Sequence, residues 1–202
     1  MTDKLLECHS GGAAGADYAW LRACWHHSVP SHVFSFEGHR TCTLPRYPWR
    51  HLSLHTLTDK ELSAGHQPLL TANKTLQRKY PCSSSLVDRL LQRNYMIVRD
   101  VGQVFAISTL NKAKTVVSGG TGWGVQMGVD LGLQVYVFDQ IEQHWYAWST
   151  MDAKFVEMDE APIAVGKIAG IGTRQINKAG VTAIFDLVSA AILHQIENLR
   201  IP

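Results

Sequence analysis

The chain lacks the features that would assign it to several common classes. Its four cysteines (Cys8, Cys24, Cys42 and Cys82) are scattered, with no C-x-x-C, which excludes a disulfide framework and points to reduced thiols in a cytosolic protein. No run reaches the 18 apolar residues of a membrane span, so no transmembrane helix is expected. Asp3, Glu7 and an early glycine turn argue against a secretory signal. Charge of one sign is also missing: 19 basic against 17 acidic residues leave a net +2, too balanced for a histone-like binder. With 46% hydrophobic and 18% charged residues, a disordered or collagen-like chain is excluded. Ten histidines are present, seven of them from His26 to His66, yet their spacing matches no zinc signature and there is no H-E-x-x-H. His51 and His55 would share a helix face, but Leu52 and Leu54 fit a strand or loop equally well. No metal site is expected. There is no G-x-x-x-x-G-K-[ST], no G-x-G-x-x-G followed by an acid about 20 residues on, and no G-x-S-x-G. An ordinary P-loop, a standard dinucleotide site and a Ser-His-Asp hydrolase are thereby set aside.

What is present begins with length. A chain of 202 residues is expected to form a single domain spanning 1–202, large enough to bury a sizeable core. Charge is unevenly spread. From Gly38 to Arg99 ten basic residues face three acids, a local +7. This belt overlaps a Pro-, Arg- and His-containing stretch, Glu37 to Leu57, that shows no period and reads as a loop within an insertion at about 37–81. Arg46, Arg50, Lys74 and Arg78 could fold over a site as a lid; the plainer reading is solvated side chains.

The rest alternates strands and helices. Strands are expected at Leu5–Cys8, His32–Phe36, Val104–Ile107, Thr115–Val117, Val135–Phe138 and Lys167–Ile171, with a hairpin of His144–Ser149 and Lys154–Met158. Helices are expected at Ala13–His27, from Thr58 (a capping box that Pro68 would interrupt), at Ser85–Tyr95 with Leu86, Leu90 and Leu91 on one face, and at Gly124–Leu133. A C-terminal helix carries Val181, Ile184, Phe185, Val188, Ile192, Ile196 and Leu199 at core-facing steps. Unbroken apolar strands between amphipathic helices predict an α/β fold: a Rossmann-like three-layer sandwich with a mostly parallel sheet and a small antiparallel hairpin.

The chemistry concentrates in three strand-to-helix turns: Ser10-Gly11-Gly12-Ala13-Ala14-Gly15-Ala16-Asp17, Ser118-Gly119-Gly120-Thr121-Gly122-Trp123-Gly124, and Gly172-Thr173-Arg174. Glycine admits close approach of backbone N–H groups, and the following helix directs its N-terminal dipole to the same place, which suits phosphate or carboxylate. In an open parallel sheet such turns share one edge. Ser10, Ser118, Thr121 and Thr173 offer hydroxyls to phosphate oxygens or serve as N-caps. Arg174 offers a guanidinium fork or is a surface charge. Asp17 accepts from a ribose hydroxyl or holds its loop. Trp123, between two glycines, is expected exposed at the cleft; Trp20 is expected in the core.

The first turn, Trp20, the pair Arg93-Asn94 before a buried strand, and the late Gly172-Thr173-Arg174 together resemble the SLOG superfamily, which joins DprA/SMF and LOG-type proteins. In its YpsA-like branch a G-[ST]-R unit precedes the S-G-G-x-x-G-A-D turn. Here it comes last, which resembles the circularly permuted YpsA family, also known as candidate molybdenum-cofactor carriers. The resemblance touches most of the chain and covers 37–81 least. It implies a nucleotide or nucleotide-derived ligand, the molybdenum cofactor included, over the glycine turns with no cofactor required. It also implies a homo-oligomer paired through helices. LOG hydrolases carry P-G-G-x-G-T-x-x-E; the comparable run here ends at Gln126, which cannot supply the carboxylate that stabilises an oxocarbenium ion. That favours binding over catalysis, with Asp17 or Asp130 as the alternative acid. Three classes result: a nucleotide-binding sensor, carrier or sequestering protein; an N-glycoside or phosphate-ester hydrolase; and a DprA-like nucleic-acid binder using the basic belt with Tyr47, Trp49 and Tyr80.

Overall fold

All six residues of Gln103–Ser108 are buried, the mark of a strand covered on both faces. The computed structural model, which describes residues 5–42 and 51–200, sets this strand near the middle of an eight-stranded sheet. In chain order the strands are β1 (Glu7–Ser10), β2 (Ser31–Phe36), β3 (Leu52–Leu57), β4 (Gln103–Ser108), β5 (Gln134–Asp139), β6 (His144–Ser149), β7 (Lys154–Glu157) and β8 (Lys167–Gly172). The helices are α1 (Ala16–His26), α2 (Asp59–Ser63), α3 (His66–Leu76), α4 (Ser85–Val98), α5 (Thr121–Asp130) and α6 (Lys178–Arg200). The spatial order is β3-β2-β1-β8-β4-β5-β6-β7. The first six in that order are parallel, and β6 and β7 close the edge as an antiparallel hairpin. The α/β fold with a mostly parallel sheet and a small hairpin is therefore as expected.

Alternation along β4 divides the core. Val104 and Ala106 face a cluster with Leu69, Leu91, Ile97 and Met127 from α3, α4 and α5. Phe105 and Ile107 face Trp20, Ile184 and Leu187 from α1 and α6. The result is three layers. β1 leads outward to β2 and β3, β4 leads the other way to β5, and β8 lies between β1 and β4. That reversal of direction opens a crevice at the carboxyl ends of the strands.

Several elements depart from the sequence-based expectation. The stretch to Leu57 is not all loop: β3 pairs with β2 over six residues. Five of its six residues are not buried, so no hydrophobic period marks it. The capping box at Thr58 forms, its hydroxyl accepting from the Glu61 N–H. Pro68 interrupts nothing, because it lies in the first turn of α3, where an N–H has no helical partner to lose. Thr115–Val117 is not a strand; a single bridge joins Leu110 to Val117, and the Asn111 side chain accepts from the Thr115 and Val116 N–H groups. α5 starts at Thr121, three residues before the expected Gly124. Leu86 on α4 is exposed, unlike Leu91. On α6 the buried face is Ala183, Ile184, Leu187, Val188 and Ala191, whereas Ile196 is exposed. α6 is long and apolar enough by length and composition to cross a membrane, although it contains no unbroken run of 18 apolar residues; its apolar face packs on the α1 side of the sheet.

Candidate anion-binding cleft

A cleft of about 680 Å³ occupies the crevice. Its walls are Ala13 and Asp17 after β1, Ser108 at the end of β4 and Thr109 after it, Gln140 after β5, Gly172 at the end of β8 and Thr173 to Gln175 after it, and Ser118 to Thr121 at the head of α5. α4 supplies Arg93 and Asn94 and an apolar side of Val87, Leu90 and Leu91. The strand-end rule thus gathers all three turn regions at one edge.

The two Ser-Gly-Gly turns differ in what they offer. Ser118, Gly119 and Gly120 are exposed. A Cβ added at Gly119 or Gly120 would meet nothing within 4 Å, so their backbone faces open space at the N-terminus of α5. Arg78 fixes this turn from behind, donating to the carbonyls of Gly119 and Val117, both at 2.6 Å. Arg78 is thus neither the solvated side chain of the plainer sequence reading nor a lid over the cleft, but a clamp on the turn. The first turn, by contrast, is sealed. Gly11 and Gly12 are buried, and the Ser10 hydroxyl donates to the Gly170 carbonyl at 2.7 Å. A Cβ on Gly11 would fall 1.4 Å from Arg93 Nη1, and one on Gly12 would fall 2.7 Å from Val33. Gly11 is glycine because an internal guanidinium occupies its side-chain space.

That guanidinium belongs to a buried pair. Arg93 and Asp17 are 5% and 7% exposed, with Nη1 and Oδ2 3.7 Å apart. Burial raises the Asp17 pKa, opposed by the positive charge of Arg93, and burial likewise lowers that of Arg93. Asp17 Oδ2 also accepts from the Ala13 N–H at 3.3 Å, and Arg93 Nε is buried without a hydrogen-bond partner. Asp17 therefore holds its loop, one of its two expected roles, while still touching the cleft.

Arg174 is exposed at the rim and forms no ion pair within 4 Å among the described residues. Gly172 lines the cleft, yet its own missing Cβ is a packing matter, since Ala16 Cβ would lie 2.5 Å away. Gly15 packs similarly against the Thr173 carbonyl and the Arg174 backbone. The Thr173 hydroxyl is engaged with Gln175. Ser108, Thr109, Gln140 and Gln175 were missed by sequence reasoning; their positions at or just after strand ends were the available signal. The Gln140 side chain ties two loops, donating to the Gln175 carbonyl and accepting from the Asn177 N–H.

Besides Ser10, Gly11, Gly12 and Gly15 of the sealed first turn, three more expected site residues, Gly122, Trp123 and Gln126, lie off the cleft walls. Trp123 is 4% exposed, not at the cleft surface, with its ring 5.7 Å from that of Tyr80. The physical reason is that helix α5 already includes residues 121–124 and turns this side chain into the core. Gly122 packs against the Val117 carbonyl, which a Cβ would approach to 2.2 Å. Gln126 is buried and donates to Asp130 at 2.8 Å. Trp20 is in the core as expected, donating to the Ile171 carbonyl.

Four of the eight described basic residues of the belt are committed internally, and Arg40, Lys60, Lys74 and Lys79 are exposed. Arg89 pairs with Asp59 and lies over the Phe36 ring, Arg99 pairs with Asp100, Arg93 with Asp17, and Arg78 clamps the turn. Lys74 is exposed on α3, near Asp130 and away from the cleft walls. Arg46, Tyr47, Trp49 and Arg50 lie outside the described residues.

Fold and cleft define an open α/β protein with a crevice of mixed polar and apolar lining at the reversal point of its sheet. No family model matches the chain, and no curated protein matches it. Among solved structures it is similar to a candidate molybdenum carrier protein from Syntrophus aciditrophicus, with a TM-score of 0.49 and 14% identity over 95% of this chain and 98% of that one.

Proposed function

We propose that the cleft binds a nucleotide or nucleotide-derived phosphorylated molecule, and that the protein acts as a sensor, carrier or sequestering factor. The observation that carries this reading is the open Gly119–Gly120 backbone at the N-terminus of α5, in one cleft with the exposed Arg174. The N-terminal end of a helix, with its dipole, and a guanidinium thus line one cleft, a combination that suits an anion. The cleft volume lies in the range of small-molecule sites, and the apolar α4 wall offers a surface for a base or pterin-like ring. The reading keeps the resemblance to the circularly permuted YpsA-like family, and four free cysteines suit a reducing cytosol.

A hydrolytic role has one observation in its favour, the raised Asp17 carboxyl at the cleft wall. Its engagement with Arg93 and the Ala13 N–H makes a structural role the stronger assignment. Titration with AMP, ADP-ribose and inorganic phosphate tests the proposal, beside native mass spectrometry of the purified protein. A nucleotide should bind, and Arg174→Ala should weaken it at least about tenfold, the loss of one charge-assisted contact. Absence of nucleotide binding and of any co-purifying small molecule would sink the proposal. Base release at ordinary turnover would make the protein a hydrolase instead.

A further inference from the structure

The β1–β2–β3 edge gathers ligand atoms that the cleft does not use. Glu7 and His9 are two apart on β1 and leave the same face. The parallel register sets His32 beside His9, and His55 beside Phe34, two residues beyond His32. Glu7 Oε1 lies 3.1 Å from His9 Nε2 and 3.4 Å from His32 Nε2. One ligand atom from each of Glu7, His9 and His32 lies within 4.8 Å of the others. Behind them His32 Nδ1 is 2.8 Å from His55 Nε2. His9 is buried, Glu7 and His32 are half-buried, and His55 is exposed, so the cluster opens to solvent on one side.

Hydrogen bonding alone serves this cluster poorly. A neutral His9 that donates from Nε2 to Glu7 leaves an unprotonated Nδ1, buried and without a hydrogen-bond partner. The Ile97 carbonyl lies within reach of that ring as an acceptor. With a cation at the centre the roles invert. Both Nε2 atoms and the Glu7 carboxylate offer lone pairs, His9 Nδ1–H turns toward Ile97, and His32 Nδ1–H donates to His55. Such an outer partner fixes the tautomer and orientation of a ligating histidine.

We propose that Glu7, His9 and His32 form a site for a divalent transition-metal cation, with His55 orienting His32 and the fourth position left to water. The 3.1 and 3.4 Å separations already approach the roughly 3.3 Å edge of a tetrahedron with bonds of about 2.0–2.1 Å. Two imidazoles and one carboxylate suit Zn²⁺ and its spectroscopic substitute Co²⁺. Lys167 Nζ, 3.5 Å from Glu7 Oε1, competes for the carboxylate and must swing aside on its exposed stem. A bound ion would pin β1 to β2 at the edge where β3 is most exposed.

The experiment is calorimetric titration of Zn²⁺ into the full chain after chelator treatment, with the visible absorption of bound Co²⁺ as a second readout. One ion per chain is expected. Glu7→Gln and His32→Ala should each weaken binding at least about tenfold, and His55→Gln about tenfold through its outer role. Lys167→Gln should tighten it. Binding should weaken as the solution is acidified, because ligating imidazoles must be neutral. Replacing buried His9 risks the fold, so the two half-buried positions carry the test, with circular dichroism verifying structure. Absence of one-to-one binding by the unmodified chain, or unchanged affinity in folded Glu7→Gln and His32→Ala variants, overturns the proposal.

Discussion

Placing a valine at Gly120 separates binding from folding. Gly120 has φ −63° and ψ −29°, ordinary helical values, and its Cβ position is open to 4 Å. An isopropyl group therefore enters the cleft without strain. The structural cost is confined to a poorer N-cap, about 1 kcal/mol, or a fall in Tm of about 2–4 °C for a chain of this length. The binding cost is larger. A phosphate on this turn would lose one N–H contact, about 1.5–3 kcal/mol for a charged acceptor. It would also lose approach to the helix end, about 0.3–1 kcal/mol. Together these predict a roughly 20- to 800-fold loss of AMP affinity. Gly172→Ala is the counterpart, since its Cβ would lie 2.5 Å from Ala16 Cβ and 2.6 Å from the Ile107 carbonyl. Overpacking of that kind costs about 1–3 kcal/mol, so Tm falls further although only one methyl group is added. Calorimetric titration with AMP and thermal unfolding read the two effects separately. Unchanged AMP affinity in a folded Gly120→Val protein refutes the anion placement, and a large drop in its Tm refutes the openness of the position.

Other consequences follow from particular contacts. Trp123→Ala should cost about 3–5 kcal/mol in urea unfolding, as for a large core side chain, whereas Trp123→Phe should leave AMP affinity within about twofold; a selective loss of affinity would contradict its burial. Arg78→Met removes both clamps on the glycine turn, so amide exchange at residues 119–122 should accelerate and AMP binding weaken about tenfold, with Arg78→Lys restoring only part; unaltered exchange would show the clamp to be idle. His39 is held to about 4 by burial and by the positive charges of Arg93 and Arg174, against about 6.5 in an unfolded chain. Its folded pKa is the lower one, so the stability it contributes is complete above about 6.5 and declines as pH falls toward 4. The full shift would be worth about 3 kcal/mol, reduced to the order of 1–2 by partial exposure. His39→Gln should flatten the acid limb of urea midpoints between pH 7 and 4.5, and an identical slope would exclude His39 as its source.

The parallel core strands were legible because burial on both faces leaves an unbroken apolar signature, as in β4. Edge strand β3 was not, since exposure on nearly every residue removes any period and pairing with β2 holds it instead. The cleft's location followed from glycine turns at strand ends. Its floor did not, because Arg93 reaches Asp17 across 76 positions of sequence, and nothing local marks a basic residue of α4 as buried. The same holds for Arg78, whose role depends on a turn some 40 residues later. Trp123 misled because flanking glycines suggest exposure, while the helix had begun two residues before it.

The identical tripeptides at 10–12 and 118–120 carry the sharpest lesson about the site. In the first the left-handed residue is its last, Gly12, at φ +67°; in the second it is the middle one, Gly119, at φ +64°. The backbone therefore runs differently through the two turns, of which only the first directly follows a strand, and matching sequence does not mean matching geometry. At the first turn an arginine from α4 fills the space glycine vacates, and Asp17 in the first turn of α1 balances that charge. The positive end of α1 thus faces an internal ion pair and has little left for a ligand. At the second turn the carbonyls are drawn back by Arg78 and the front stays open. On the proposed reading a ligand anion would be directed to α5 and Arg174, with the Arg93–Asp17 pair, seated against the first turn, beside it.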